Sequence, residues 1–357
     1  MTTKKARKWP RRVLWISAGL VVAVALAGTW YVVRNLNYDR WDRAKVDEAG
    51  FVERQVEING TRLNYAEGPD NGPALLLVHG QVTDWGAYNR VLPELSQDFH
   101  VFAVDCHGHG KSERAPEKYN AKAMAADFRQ FLRQVVKEPA VVSGHSSGGL
   151  VAAVMAAEAP DQVRGVILED PPFFSSVHPR AEKTFNQVAL ATTAHEFLRS
   201  GEKDFTSYHI RHDAIWDLFQ GLKNRVQQDA LSYRRDHPGE PTKIFYMPPE
   251  LNEMFRAMDS YDPRFGEAFY DNSFHDGFDH AETLARIEVP AVLIHTNWRY
   301  DENGVLQAAM DGKDAERARS LLRDVEFHKV DTGHSFQFED PGHYIRIARD
   351  FAARLDH

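Results

Sequence analysis

The stretch that decides the fold reads AVVSGHSSGGL, residues 140–150, and continues into the alanine-rich VAAVMAAEA of residues 151–159. An apolar run that ends in Gly-x-Ser-x-Gly and enters a helix-forming segment predicts a strand, a sharp turn and a helix, with Ser146 on the turn. A residue on such a turn has strained backbone angles, and the residues two before and two after it must be small. Gly144 and Gly148 occupy these positions. The stretch therefore predicts a serine hydroxyl at the carboxyl edge of a sheet.

Two backbone amides are predicted to face the same point. Ser147 begins the helix after the turn, where the helix dipole and free N–H groups favour negative charge, so its N–H is assigned as one oxyanion donor. The apolar run ALLLV, residues 74–78, ends in His79-Gly80-Gln81, a turn in the matching topological place. We assign the N–H of Gln81 as the second donor.

Further short apolar runs predict a mainly parallel sheet covered by helices on both faces, because most of them alternate with stretches of helical spacing. A hairpin opens the fold, since Asn59-Gly60 favours a two-residue turn between two strand-like segments. The predicted hairpin strands are residues 55–58 and 62–66, and the later strands are residues 74–78, 101–104, 140–142, 166–168, 291–294 and 325–330.

The alternation of strands and helices pauses over residues 173–285, which are rich in aromatic residues and histidine and have helical periods. This segment is too long for an ordinary crossover, so it is interpreted as an inserted helical cap. Residues 51–172 and 286–357 form the two parts of the predicted core. The cap aromatics are expected to divide between the cap interior and a pocket for a hydrophobic substrate.

Taken together, four motifs resemble the α/β-hydrolase superfamily, in particular its capped serine hydrolases of the esterase and lipase kind. The motifs are His79-Gly80, the sequence DCHGHGKS at residues 105–112, the turn at residues 144–148, and Gly333-His334. The resemblance implies an α/β-hydrolase fold with an inserted cap and a catalytic triad in the chain order serine, acid, histidine.

The resemblance assigns His334 as the base that activates Ser146, because a serine hydroxyl needs a neighbouring base and the base needs an orienting carboxylate. The acid is expected to be Asp301, in the loop after the strand of residues 291–294. That loop departs from the family pattern, since Thr296 stands where glycine is common and Asp301 lies about two residues further along. Glu302 is one alternative, and Asp170 after the preceding strand is another.

These residues predict acyl transfer through an acyl-enzyme, most simply the hydrolysis of a carboxylic ester of a small to medium hydrophobic substrate. Other chemistries on the same triad remain open: a lactonase, an amidase or peptidase, or a hydrolase of carbon–carbon bonds such as those of diketones. A catalytically silent protein that binds a ligand is a further alternative. Epoxide hydrolases and haloalkane dehalogenases resemble the chain only in fold, because their covalent chemistry needs a carboxylate where Ser146 stands.

No cofactor and no metal are expected. His107 and His109 belong to the Gly-His-Gly turn of the family, and the i, i+3 pair His209 and His212 has no recognisable third ligand. Cys106 is the only cysteine, so an intramolecular disulfide is excluded, and it is expected to be a small buried residue.

The N-terminus predicts a membrane anchor within residues 1–34. Residues 13–33 carry no charge and match the roughly 20 residues needed to span a bilayer. The first twelve residues carry six basic and no acidic residues, which favours a cytoplasmic N-terminus and an extracytoplasmic body. Cleavage after Ala25-Leu26-Ala27, or export through the Arg11-Arg12 pair, is the alternative. Residues 35–50 are expected to be a polar linker.

The charge distribution argues against a nucleic-acid partner. The formal net charge is −8, so the chain beyond residue 12 carries −14 and repels phosphate backbones. The expected partners are therefore an ester-like small molecule and, through the N-terminal helix, the lipid bilayer.

Overall fold

The computed structural model describes residues 11–355, without the side chains at 11–14, 217, 218 and 220. Four basic residues of the predicted N-terminal tip, Lys4, Lys5, Arg7 and Lys8, lie outside this range. An eight-stranded sheet in the order β1-β2-β4-β3-β5-β6-β7-β8 organises the chain. The strands are β1 Val52–Ile58, β2 Thr61–Glu67, β3 Ala74–Val78, β4 His100–Val104, β5 Ala140–His145, β6 Val163–Glu169, β7 Ala291–His295 and β8 Val325–Lys329.

The first two strands form the predicted hairpin. β1 and β2 pair antiparallel, and the turn residues Asn59 and Gly60 both have a positive φ, 48° and 78°. That conformation is the one for which the Asn-Gly dipeptide is favoured. From β4 to β8 the neighbouring strands pair parallel, so their carboxyl ends meet along one edge of the sheet.

Helices cover both faces of the sheet, as predicted. In β3, Leu75 and Leu77 contribute to one hydrophobic cluster and Leu76 and Val78 to the other, so all four side chains are buried. The helices that follow α1, Arg11–Glu48, are α2 Leu92–Leu95, α3 Ala121–Phe131, α4 Ser147–Glu158, α5 Thr192–Ser200, α6 Phe205–His212, α7 Lys223–Asp236, α8 Pro249–Arg256, α9 Pro263–Tyr270, α10 His280–Arg286, α11 Gly312–Leu321, α12 Phe336–Glu339 and α13 Pro341–Leu355.

The chain between β6 and β7 is helical and contains α5 to α10. Aromatic side chains fill this segment. Phe173, Trp216 and Phe274 are almost fully buried within it, and Trp216 stacks on Phe255 at 5.9 Å between ring centroids. At the end of the segment, α10 returns to the sheet and packs against α4.

Helix α1 contains the apolar segment. Within the described residues, Trp15–Glu48 is the one helix long and apolar enough to cross a membrane, and its most apolar window is not buried at all. Trp15 and Leu20 expose 77% and 66% of their surface to the surroundings. Such exposure of large apolar side chains fits a lipid environment.

The expectation that residues 35–50 form a linker is wrong, because α1 continues without a break to Glu48. Its second half packs on the globular domain and buries Asn35, Tyr38 and Val46. These residues recur at nearly helical spacing on one face. The charged residues around them form pairs within the helix, such as Arg43–Asp47 at 2.8 Å, and pairs with the domain, such as Asp42–Arg90 at 3.0 Å. The polar composition concealed this amphipathic pattern.

Candidate active site

Ser146 lies on a strained turn between β5 and α4, as the sequence predicts. Its φ of 54° and ψ of −122° place a non-glycine residue in a costly region of backbone space. The flanking glycines are required by close backbone contacts. A Cβ on Gly144 would lie 2.3 Å from the carbonyl oxygen of Gly148, and a Cβ on Gly148 would lie 2.3 Å from that of Val78. Ser146 therefore lies on a turn whose backbone packs closely against itself and against the end of β3.

The loop after β3 passes directly beside Ser146, since a Cβ on Gly80 would lie 2.8 Å from the Ser146 Cβ. The Gly80 carbonyl oxygen is held by two side chains, the His79 ring through Nδ1 at 2.7 Å and the Thr83 hydroxyl at 2.9 Å. In a trans peptide the carbonyl and the next N–H point in opposite directions. The Gln81 N–H therefore points away from His79 and Thr83.

His79 is a neutral imidazole of defined tautomer. Its Nε2 accepts the Cys106 backbone N–H at 3.0 Å, so Nδ1 carries the proton that is donated to Gly80. Burial lowers the pKa of His79 to about 4, which is consistent with an Nε2 that faces a donor. The loop residue Val82 has a φ of 65°, rare for a β-branched residue, and donates its N–H to His109 Nε2 at 3.3 Å. Two buried histidines thus hold the backbone of this loop.

His334 follows β8 and contacts both the serine turn and a carboxylate. Its Nδ1 lies 2.7 Å from Asp170 Oδ2, and its ring lies 4.7 Å from the ring of His145, the residue before Ser146. Asp170 is fully buried directly after β6 and has a φ of 43°. Burial opposes ionisation of Asp170, but the hydrogen bonds from His334 and Thr296 outweigh it, and the pKa of Asp170 is lowered. An ionised Asp170 therefore faces His334.

The expectation that Asp301 orients His334 is corrected by this pairing. Asp301 Oδ1 instead accepts the backbone N–H groups of Asn303 and Val305, both at 2.9 Å, and its Oδ2 accepts from Gln307 at 3.2 Å. These bonds close a local turn and commit both carboxylate oxygens. The alternative Glu302 is exposed in the same turn. Gly80, the residue before Gln81, lies beside Ser146, and the His334 backbone bonds His145, the residue before Ser146. Of the three candidate acids, Asp170 is the one paired with His334.

Two supporting residues were missed from the sequence. The Thr296 hydroxyl donates to Asp170 Oδ2 at 2.7 Å, and the Thr296 N–H lies 3.3 Å from Oδ1. His145 Nε2 lies 2.9 Å from the backbone oxygen of His334, which fixes the segment that carries the ring. Burial lowers the pKa of His145 to about 3, so it is neutral. One sequence feature could have indicated this contact: Thr296 stands where glycine is common in the family. Its hydroxyl supplies a hydrogen-bond donor for an acid that follows the neighbouring strand.

The other histidines considered from the sequence have structural partners. His107 Nε2 lies 2.8 Å from Asp127, and His209 Nε2 lies 2.7 Å from Asp213, with both pairs buried. Across residues 11–355, as far as their side chains are described, no group of three or more potential ligands is arranged to hold a metal ion. Cys106 is buried, and burial raises the pKa of its thiol.

Comparisons with known proteins define the family. Residues 73–341 match the family described as alpha/beta hydrolase fold. The chain is 33% identical over 120 residues to 2-(acetamidomethylene)succinate hydrolase of Mesorhizobium japonicum, over 34% of this chain and 43% of that protein. It is also 33% identical over 163 residues to a soluble epoxide hydrolase of Corynebacterium sp., over 46% of this chain and 56% of that one. The chain thus spans about half the length of these two curated relatives.

Among solved structures, a bacterial membrane phospholipase A described as a virulence factor superposes with a TM-score of 0.62 and 24% identity, over 98% of this chain and 100% of that one. At this identity the likeness concerns the fold. The chain belongs to the alpha/beta hydrolase family. Its relatives include hydrolases of several chemistries, so the reaction must be argued from the residues of the site.

Proposed function

We propose that this protein is a membrane-anchored serine hydrolase that cleaves carboxylic esters of small to medium hydrophobic substrates. One observation carries the proposal: Ser146 lies on a strained strand-to-helix turn, the preceding His145 bonds the His334 backbone at 2.9 Å, and the His334 ring is paired at 2.7 Å with the buried carboxylate of Asp170. In this proposal the triad is Ser146, His334 and Asp170.

The acylation step uses each group in turn. Asp170 accepts a hydrogen bond from the Nδ1–H of His334, which leaves Nε2 free to accept the proton of the Ser146 hydroxyl as the oxygen attacks the ester carbonyl. The carbonyl oxygen becomes negatively charged, and the N–H groups of Gln81 and Ser147 are proposed to bind it. His334 then protonates the leaving alcohol, and an acyl-enzyme remains on Ser146.

Deacylation repeats these steps with water. His334 removes a proton from the water as it attacks the acyl carbonyl, and the same two amides bind the second oxyanion. Collapse of the intermediate returns the proton to Ser146 and releases the carboxylic acid. Throughout the cycle, Asp170 stabilises the imidazolium without taking its proton.

A serine nucleophile separates this proposal from epoxide hydrolysis and dehalogenation, the activities that the names of several relatives state. We propose that those relatives share the fold and not the covalent step, since an ester formed on an enzyme carboxylate needs aspartate or glutamate at the turn. Ser146 fits acyl transfer.

We further propose that α1 anchors the domain to the cell membrane with the catalytic domain outside the cytoplasm. The apolar residues of α1 are exposed, whereas Tyr31 already contacts the globular domain through the backbone oxygen of Tyr246 at 3.2 Å. The domain would then lie close to the bilayer surface. The fold likeness to a membrane phospholipase A agrees with such a location. Cleavage after Ala27 would leave the docked half of α1 in place, so an intact-mass measurement of the membrane fraction tests retention of the anchor.

The proposed reaction is tested by the hydrolysis of p-nitrophenyl esters from acetate to palmitate, with the full-length protein in detergent and Ser146→Ala as the matched control. We expect turnover that peaks at one acyl length and disappears in the variant. Turnover that survives in Ser146→Ala would refute the proposal. Activity confined to lactones, amides or diketones would retain the triad and reject the ester substrate.

A further inference from the structure

We call the loop that follows β3, residues 79–84, the oxyanion loop. We infer that the second half of α1, next to the membrane segment, positions this loop through a chain of largely buried polar side chains. The inference rests on the proposed function, because it assigns a role to residues that support the Gln81 N–H. Tyr38 of α1 and Glu253 and Arg256 of α8 would act as positioning residues for the loop that follows β3.

The chain of contacts begins on α1. The Tyr38 hydroxyl donates to Glu253 Oε2 at 2.9 Å, and Tyr38 exposes only 4% of its surface. The other oxygen of Glu253 accepts from Arg256 Nε. Both partners lie on α8, three residues apart on one helix face, and each exposes about a tenth of its side chain. The anchor helix thus directly contacts a largely buried ion pair of the cap.

Arg256 carries the contact to the oxyanion loop. Its Nη1 lies 2.7 Å from Asp84 Oδ1, and Asp84 follows Gln81 by three residues. The same Asp84 oxygen accepts the Gly86 N–H at 2.8 Å and so begins the short 3₁₀ helix at Trp85–Tyr88. Asp84 therefore fixes the point where the oxyanion loop re-enters regular structure.

A second contact joins the same elements. The Arg43 guanidinium of α1 lies 4.5 Å from the ring centroid of Trp85, the residue after Asp84. One to two turns nearer the membrane segment, Lys243 of the cap binds the Leu36 carbonyl at 2.9 Å and Asp39 at 2.7 Å. Helix α1 is thus held on the cap and touches the end of the oxyanion loop.

The middle of the loop depends on these end contacts. Val82 has a positive φ of 65°, a conformation that persists only where the surroundings enforce it. Gln81 itself bridges to the cap, because its side chain donates to Asn186 and accepts from Tyr261, each at 3.0 Å. A loop fixed through the cap at Gln81 and through Arg256 at Asp84 keeps the intervening backbone in the strained conformation. Loss of the contact at Asp84 should release it.

The consequence is that α1 is part of the catalytic domain as well as an anchor. Breaking its contact with Glu253 should weaken binding of the transition state more than binding of the substrate, because the Gln81 N–H is needed only once negative charge develops. The effect should therefore appear in kcat with little change in KM.

The test compares Tyr38→Phe with Tyr31→Phe in the full-length protein in nanodiscs. Both variants remove one hydroxyl from α1, but Tyr31 donates to the Tyr246 backbone and has no link to Asp84. The first readout is amide hydrogen exchange, followed by mass spectrometry, in peptides that cover residues 79–88. We expect faster exchange in Tyr38→Phe and wild-type exchange in Tyr31→Phe.

The second readout is steady-state ester hydrolysis. We expect kcat of Tyr38→Phe to fall about three- to tenfold with KM nearly unchanged, the effect of losing one hydrogen bond to a charged group at a distance. Arg256→Lys keeps the positive charge but is too short to bind both acids, and should have the same effects. In the double variant Tyr38→Phe/Arg256→Lys, kcat should be no lower than in Arg256→Lys alone, since both changes break the same chain of contacts.

Unchanged exchange over residues 79–88 in both Tyr38→Phe and Arg256→Lys would overturn the inference, as would equal effects of Tyr38→Phe and Tyr31→Phe. The exchange readout does not depend on catalysis. A wild-type protein without esterase activity would therefore refute the proposed reaction alone, while the exchange data still decide whether α1 and the loop are coupled.

Discussion

Replacement of Asp170 by asparagine tests the assignment of the acid. The two oxygens of Asp170 accept from His334 Nδ1 at 2.7 Å, from the Thr296 hydroxyl at 2.7 Å and from the Thr296 N–H at 3.3 Å. An asparagine removes the negative charge that stabilises the imidazolium. It must also turn its amide nitrogen toward either His334 or the Thr296 N–H. The first orientation imposes the tautomer in which Nε2 carries a proton and cannot accept one from Ser146.

The magnitude follows from the distance. A charge pair about 3–4 Å apart in a medium of effective dielectric constant about 20 is worth roughly 4–6 kcal/mol. At 1.36 kcal/mol per tenfold change in rate, we expect kcat of Asp170→Asn to fall about 10³- to 10⁴-fold. In serine proteases with a Ser-His-Asp triad, replacement of the aspartate by asparagine lowers kcat by the same order of magnitude.

The assay is steady-state hydrolysis of the preferred p-nitrophenyl ester, with Asp301→Asn as the matched control. Asp301 closes a turn of residues 301–307 through backbone and side-chain bonds, so its replacement should leave kcat within about threefold of wild type. Thermal unfolding of both variants verifies that they are folded. The reasoning is refuted if folded Asp301→Asn loses more than a hundredfold and folded Asp170→Asn retains activity.

Three further predictions follow from the site. Thr296→Val removes one donor to the ionised Asp170 and should lower kcat about tenfold, whereas Thr296→Ser keeps the hydroxyl and should be near wild type; equal kinetics of the two would exclude this role. Gln81→Pro deletes the N–H assigned to the oxyanion and should lower kcat about 10²- to 10³-fold. Gln81→Ala loses the same side-chain contacts but keeps the N–H, so it should be far more active than Gln81→Pro; equal activity of the two variants would contradict the assignment. His79 has a pKa of about 4 in the folded protein against 6.5 in the unfolded chain, so unfolded chains bind more protons between these values and stability falls as pH drops from about 6.5 to 4. Between pH 7 and pH 4, the free energy of unfolding of His79→Asn should therefore fall by about 3 kcal/mol less than that of the wild type, as measured by denaturant titrations at the two pH values. An equal fall in both proteins would contradict the lowered pKa of His79.

The sheet was predictable from the sequence because its strands are short apolar runs with local turn signals. The Asn59-Gly60 turn, the buried run ALLLV and the Gly-x-Ser-x-Gly turn each depend on neighbouring residues alone. The segment that ends in His334 was found for the same reason, since the histidine directly follows a strand and lies in a local motif.

The acid was not predictable with the same certainty, because its choice is a contact between two neighbouring strands. Asp170 and Asp301 both follow strand ends, and the chain order serine, acid, histidine admits either. What distinguishes them is the partner that each carboxylate finds. Asp301 binds amides of its own turn, and Asp170 meets Thr296 across the sheet. The unusual threonine was visible in the sequence, but its meaning depends on the register of β6 against β7.

The docked half of α1 was missed for a different reason. Residues 35–50 are polar overall, and a linker is the simplest interpretation of such a composition. The buried residues Asn35, Tyr38 and Val46 are few and are separated by charged residues. Tyr38 binds Glu253 on α8 and Asn35 binds the backbone of Phe245, both more than two hundred residues away in the chain, so no local pattern indicates these contacts.

The central claim is that Ser146 is an activated nucleophile, and covalent labelling tests it most directly. The full-length protein is treated with a fluorophosphonate, digested, and analysed by mass spectrometry for the modified peptide, with Ser146→Ala and Asp170→Asn as controls. We predict one adduct on Ser146 in the wild type that forms together with the loss of ester hydrolysis, much slower labelling in Asp170→Asn and none at residue 146 in Ser146→Ala. An unmodified Ser146 in a folded protein, or hydrolysis that persists after complete labelling of Ser146, would contradict the account.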